Sequence, residues 1–329
     1  MTERLYRNIW RIHVPLPDSP LGGLNCYVVR DEGAGRHLII DTGFNRPECR
    51  QALLGGLEEL GIEPARSDVF LTHVHSDHTG NAAALQKLGA VLHMSAPDYR
   101  DTHSIDWEKR ARWYIGEGMP EEVCRTVMAN NPAVLFRPDF FTALPVRDGD
   151  ELVRGGLRLR CLHTPGHSHG HMCLYEAREK LLFSGDHILF DITPNICSMG
   201  PDTDMLSQYL DSLNRVRALE IAHCFPAHRT TGQLSAAERI DALLAHHEAR
   251  LRETEELVRA QPGQTAYEIA GQMRWSIRAR DWEHFPPGQK WFAMGEAMAH
   301  LDRLRTEGRV LCERRGQVRV YRAAGPDRT

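Results

Sequence analysis

The chain has 329 residues, 42% hydrophobic and 26% charged, with 40 Lys and Arg against 44 Asp and Glu, a formal net charge of −4. That length suits one large domain and a small one, the charge gives no general attraction to nucleic acid, and no apolar run is long enough to span a membrane. Met1-Thr2-Glu3-Arg4 opens straight into strand-like sequence with no signal peptide, and the eight cysteines are scattered with no C-x-x-C pair, so a cytoplasmic protein with reduced, buried thiols is expected.

Residues 8–43 read as strands at 9–14, 25–29 and 38–40, joined by Pro and Gly turns, the last running into Asp41-Thr42-Gly43. Residues 47–61 and 80–89 have helical spacing. Between them the apolar run Val69-Phe70-Leu71 reads as a buried strand that leads into Thr72-His73-Val74-His75-Ser76-Asp77-His78-Thr79-Gly80. From about 96 to 145 lies a helix-prone insertion with Trp107, Trp113, Tyr114 and Phe136. It is either an ordinary packed insertion or a lid shaping an apolar pocket, with Trp113 the residue to test. Further apolar runs precede His163 and His167, then Asp186 and His187, then His223, His228 and Arg229. Residues 233–260 read as a long charged helix, 265–273 and 291–307 as two more, and 310–313 with 318–321 as a β-hairpin around Arg314-Arg315-Gly316-Gln317.

Three imidazoles and a carboxylate within six residues, His73, His75, Asp77 and His78, are hard to explain by packing, and the plainer reading is a solvated His-rich turn. Imidazole and carboxylate are the usual ligands of zinc and related divalent ions. One loop cannot supply a whole metal site. His167, Asp186 and His228, each after an apolar run, are the natural complement, and several strands ending in His or Asp suggest a metal site at a sheet edge.

With Asp41-Thr42-Gly43, the His73-x-His75-x-Asp77-His78 loop, His167, Asp186 and His228 in order over residues 8–230, the chain resembles metallo-β-lactamase-fold hydrolases. That superfamily includes glyoxalase II, lactonases, class B β-lactamases and RNase Z-type nucleases. The resemblance implies an α+β fold: a four-layer αββα sandwich over 1–231, with the metals at one edge of its sheets. A C-terminal winged-helix-like module would follow over 232–329, as in relatives of β-lactamase-like protein 2. It also implies two divalent ions, zinc first with iron or manganese as alternatives. His73, His75 and His167 would hold one, Asp77, His78 and His228 the other, and Asp186 would bridge them. Asp77 and Asp186 are then the carboxylates at the catalytic heart. Three protein ligands per ion leave an open position, and a bridging water becomes a hydroxide nucleophile near pH 7. Asp41 is expected to orient a ligand imidazole, His187 to reach a small-molecule substrate, and Arg229 either to bind a substrate carboxylate or to pair with a surface acid. His163, His169, His171 and His223 are read as orienting or packed groups, and His246 and His247 as solvated.

The favoured activity is hydrolysis of a small ester, thioester or lactone. A quorum-signal lactonase is disfavoured, since His187-Ile188-Leu189-Phe190 lacks the Tyr expected shortly after the bridging Asp. One alternative is a single-strand endoribonuclease whose C-terminal module grips RNA through Arg314, Arg315, Arg319 and Arg322. Residues 260–329 hold only 12 Lys and Arg against 8 Asp and Glu, so a structural cap or homodimer element is preferred. The other alternative is a one-iron persulfide dioxygenase that leaves Asp77 and His78 unused.

Overall fold

The computed structural model describes residues 1–201, 203–231, 233–276 and 279–325. Its mixed α and β architecture is the one expected. In chain order, β1 (Thr2–Tyr6), β2 (Ile9–Pro15), β3 (Gly23–Val29), β4 (His37–Ile40), β5 (Ser67–Leu71), β6 (Val91–Ser95) and β7 (Leu144–Val146) lie side by side in one seven-stranded sheet. A five-stranded sheet follows, built from β8 (Glu151–Arg154), β9 (Leu157–His163), β10 (Met172–Glu176), β11 (Leu181–Gly185) and β12 (His223–Pro226) in the order β12-β11-β10-β9-β8. β13 (Val310–Arg315) and β14 (Val318–Ala323) form the C-terminal hairpin.

Side chains along a strand alternate between its two faces, and β3 shows what that alternation does. Tyr27 and Val29 enter one core with Leu38, Ile40 and Phe70 of the first sheet and Leu159, Cys161, Leu174 and Phe183 of the second. Cys26 and Val28 enter another with Ile39, Val69 and Leu71, covered by Cys49, Leu53 and Leu57 of the helix Pro47–Glu59 and by Leu85 of the helix Ala82–Lys87. One sheet is thus sealed by helices on one face and by the other sheet on the opposite face. On the second sheet, Cys173, Leu182 and Cys224 are buried as well. A buried carboxylate ties the two sheets together: Asp68 on β5 accepts Arg36 Nε at 2.6 Å and Arg154 Nε of β8 at 2.6 Å, with His93 Nε2 of β6 at 3.2 Å.

These sheets belong to a compact unit of residues 1–105, 132–194 and 212–240; a second comprises 106–131, 195–211 and 241–329. Part of the expected insertion therefore groups with C-terminal residues. The reason is side-chain chemistry: the buried Tyr114 ring stacks on Trp291 at 3.7 Å, and the Glu117 carboxylate accepts from Tyr321 Oη at 2.8 Å and from Arg319 at 3.1 Å. The helices Ala266–Gln272 and Pro287–Thr306 and the hairpin occur where the sequence places them, and a Thr265–Glu268 capping box starts the first. His247 corrects an expectation. It is fully buried, with Nδ1 3.3 Å from His300 Nε2, because its helical face turns inward with Leu243, Arg250 and Thr254. All eight cysteines are unpaired. Among the described residues, no helix is long and apolar enough to cross a membrane.

Candidate metal centre

β4 and β6 run parallel to β5, and β12 runs parallel to β11. The residues singled out above follow the C-terminal ends of strands: Asp41 after β4, the 73–78 loop after β5, His167 after β9, Asp186 after β11 and His228 after β12. The strands end because their apolar runs end. The backbone then turns at positions with left-handed φ, among them Asp41 (62°), Gly43 (81°) and Gly185 (51°). Gly185 is needed for space as well: a Cβ there would lie 2.7 Å from His171 Nε2.

All seven expected ligands converge. Their donor atoms form three groups, each within 4.8 Å: His73, His75 and His167; His73, His78 and Asp186; and Asp77, His78 and His228. His75 Nδ1 lies 3.0 Å from both His73 Nε2 and His167 Nε2. Asp186 faces two ways, with Oδ2 3.5 Å from His167 Nε2 and Oδ1 3.4 and 3.7 Å from His228 Nε2 and His78 Nε2. Asp77 Oδ2 is 3.3 Å from His228 Nε2. His78 Nε2, His228 Nε2 and Asp186 Oδ1 are all buried without a hydrogen-bond partner. Such atoms are costly to bury, and a cation among them satisfies all three, so the donor set fits a divalent metal.

The far side of each imidazole is fixed. His78 Nδ1 is 2.8 Å from Asp41 Oδ2, and the Asp41 carboxylate also accepts from the Thr72 amide at 2.8 Å. His228 Nδ1 is 2.8 Å from the Gly23 carbonyl oxygen. Because a carbonyl and a carboxylate only accept, both rings carry hydrogen on Nδ1, which leaves Nε2 as the atom turned towards the centre. His171 serves the bridge: its Nε2 accepts the Asp186 amide at 3.1 Å while Nδ1 contacts Thr164 Oγ1 at 2.8 Å.

Electrostatics divides the centre. Burial, with the neighbouring His167, pushes His75 down to about 3, and burial with His78, His75 and His167 holds His73 well below the usual imidazole range. Those nitrogens are neutral donors. Burial also opposes charging of His78, but Asp41, Asp77 and Asp186 outweigh it and raise this ring to about 10. The carboxylate-rich side thus demands a positive charge.

The remaining candidates separate. Asp41 takes its expected place on His78. His187, expected at the substrate, is instead fully buried with its ring 6.0 Å from His171, where packing leaves it no exposed surface. Arg229 is exposed, holds a left-handed φ of 60° and bonds to the Pro20 carbonyl at 3.1 Å. Trp113 belongs to the second unit, half-buried with its ring 5.7 Å from Tyr114. Asp98 escaped the sequence reading. It is fully buried, and burial raises its carboxyl to about 6 despite hydrogen bonds from Ser168, Gly170 and Val74.

Residues 20–228 match the sequence model of the Metallo-beta-lactamase superfamily. An atrochrysone carboxyl ACP thioesterase of Aspergillus fumigatus is 31% identical over 213 residues, 64% of this chain and 39% of that protein. A lactamase-like protein of Pestalotiopsis microspora is 30% identical over 79% of this chain and 65% of its own length. The chain thus spans only about two fifths to two thirds of these relatives. Two solved structures resemble nearly all of it. A metallo-beta-lactamase family protein from Thermus thermophilus has a TM-score of 0.79 and 29% identity, covering 96% of this chain and 98% of its own. A beta-lactamase domain protein from Burkholderia ambifaria has a TM-score of 0.82 and 25% identity, covering 98% and 94%.

Proposed function

This chain belongs to the metallo-beta-lactamase superfamily, and from that premise we propose that it is a hydrolase that cleaves thioesters of small acyl groups using two divalent metal ions. The observation that carries the reading is Asp186, whose two oxygens address different donor groups, Oδ2 towards His167 and Oδ1 towards His78 and His228. The thioester is favoured over other esters and lactones because relatives from Aspergillus fumigatus and Emericella nidulans are carboxyl ACP thioesterases.

His73, His75 and His167 would hold one ion, Asp77, His78 and His228 the other, and Asp186 both; zinc suits this donor set, ahead of iron or manganese. Ions bound there supply an acidified water as nucleophile and positive charge for the thioester carbonyl oxygen, so that water and thioester become acid and thiol. The chain's own work is orientation and exclusion. Asp41 and the Gly23 carbonyl hold the Nδ1 hydrogens of His78 and His228, leaving each Nε2 free to donate its lone pair. Asp77 stays ionised: burial opposes this, but His78 and His228 outweigh it and keep the carboxyl well below its usual range. His73 and His78, fully buried, keep bulk water from the base of the site.

Nearness of Asp77 to His78 and His228 favours two ions over the one-iron dioxygenase. For residues 232–329 we propose a dimer element in place of an RNA grip, because Arg319 and Arg322 are already paired with Glu117 and Glu313; light scattering tests it.

The deciding experiment is metal analysis by plasma mass spectrometry on protein purified without chelator, followed by a thioester panel read by thiol release. Two ions per chain with thiol release are expected. One iron per chain and no thiol release would overturn the reading.

A further inference from the structure

Asp98 lies in the first turn of the helix Ala96–Ser104, which follows β6, and its own amide faces the capping hydroxyl of Ser95 at 3.4 Å. Its carboxylate is directed away from that helix, to two other segments. Oδ2 accepts the Val74 amide at 2.9 Å and the Ser168 hydroxyl at 2.6 Å, and Oδ1 accepts the Gly170 amide at 2.5 Å. Val74 sits between His73 and His75, and Ser168 directly follows His167. These are the three histidines whose nitrogens gather into one donor group.

The fit leaves no spare room. A Cβ on Gly170 would lie 2.1 Å from Ser95 Oγ and 2.8 Å from both the amide nitrogen and Oδ1 of Asp98. A side chain there would drive the 167–171 segment off the carboxylate. Among the described residues, no Lys or Arg is paired with Asp98, so its acceptor capacity goes to these three donors and not to an ion pair. The other donor group, Asp77, His78 and His228, is held independently by Asp41 and by the Gly23 carbonyl.

We infer that Asp98 is a positioning residue that clamps the loop bearing His73 and His75 to the loop bearing His167, and so sets the affinity of one metal position without setting the other. This rests on the two-ion reading above. The mechanism is geometric. Three imidazole nitrogens must meet around one ion, two from one loop and one from another, and each loop is free to drift unless something spans both. One carboxylate accepting from both backbones spans them.

The test is a titration of the metal-free 329-residue chain with Zn²⁺ against a chromophoric chelator, comparing the native sequence with Asp98→Asn and Ser168→Ala. Changing a group that orients metal ligands typically lowers affinity about 10–100-fold. Asp98→Asn keeps the shape but sets an amide against the donors it met before, so one of the two binding steps should weaken by that factor while the other moves by less than about threefold. Ser168→Ala removes a single donor and should shift the same step less. A purely structural Asp98 would lower the unfolding midpoint and weaken both steps alike, and that result overturns the inference, as does no change in either. If Asp98→Asn does not fold, Ser168→Ala decides alone: a shift confined to one step supports the clamp, and equal or absent shifts sink it. A native chain that takes up no zinc overturns the two-ion reading and the clamp with it, whereas two steps that ignore Asp98 overturn only the clamp.

Discussion

Asp41 Oδ2 stands 2.8 Å from His78 Nδ1, and Asp41 reaches it from a left-handed backbone with φ of 62°. That backbone costs a non-glycine residue about 1–2 kcal/mol, least for Asn and Asp. Asp41→Asn should therefore tolerate the backbone while removing the charge that fixes the imidazole hydrogen. Zinc affinity at the step involving Asp77, His78 and His228 should fall about 10–100-fold, and the metal-free protein should unfold at a lower midpoint because the buried His78 ring loses a charged partner. Chelator competition and calorimetry measure both; undiminished affinity would show that Asp41 does not orient the ring.

Asp186→Asn is expected to reduce metal content from two ions per chain towards one and to lower kcat for thioester cleavage at least about 10²-fold, the scale of losing one strong electrostatic contact to the transition state. The fold should persist, since the Asp186 amide, not its carboxylate, makes the contact to His171. Circular dichroism with metal analysis checks this, and a fully active variant with two ions would refute the bridge.

Gly80 closes the metal loop against backbone. A Cβ there would lie 2.2 Å from the Asn45 amide nitrogen and 2.5 Å from the Gly43 carbonyl oxygen. Neither is the free end of a flexible side chain, so Gly80→Ala should cost about 3 kcal/mol or more. Urea unfolding of the metal-free chain measures it; a loss under about 1 kcal/mol would mean the 43–45 turn moves aside freely.

A pH effect is expected far from the metals. Burial alone would raise the Asp68 carboxyl, but His93, Arg36 and Arg154 outweigh it and hold the group well below the usual carboxylate range. A depressed carboxyl contributes stability that is present above its unfolded value of about 4 and lost as pH falls through the lower folded value. Asp68→Asn should destabilise the protein by about 2–3 kcal/mol at pH 7, below the full penalty for a broken buried pair because both guanidinium groups reach solvent. The gap should shrink below about pH 4, where the unfolded carboxyl takes up its proton while the native one still resists. Denaturant midpoints at pH 7 and pH 2.5 are the measurement, and a gap that widens in acid contradicts the assignment.

The ligands were legible because each comes soon after a buried apolar strand, where His and Asp are otherwise expensive to place. The strand before His228 is itself His223–Pro226, two residues later than the apolar pair that suggested it. β6 was hidden by His93 and Ser95, polar residues that its neighbours bury, and β7 by its brevity and Pro145. Asp98 could not be read from its surroundings, since it acts on residues 24, 70 and 72 positions away. The same holds for residues 106–131: the stacking of Tyr114 on Trp291 joins segments that no local pattern connects.

Each of the three donor groups takes two members from the segment after β5 and one from the segments after β9, β11 or β12. Neither half of the sandwich holds a whole group. A growing chain leaving the ribosome thus offers only incomplete nests until its second sheet has docked, and tight capture of metal must wait for that event. Loading with metal then marks a finished molecule: an ion held by Asp77, His78 and His228 certifies that segments far apart in the chain have found one another.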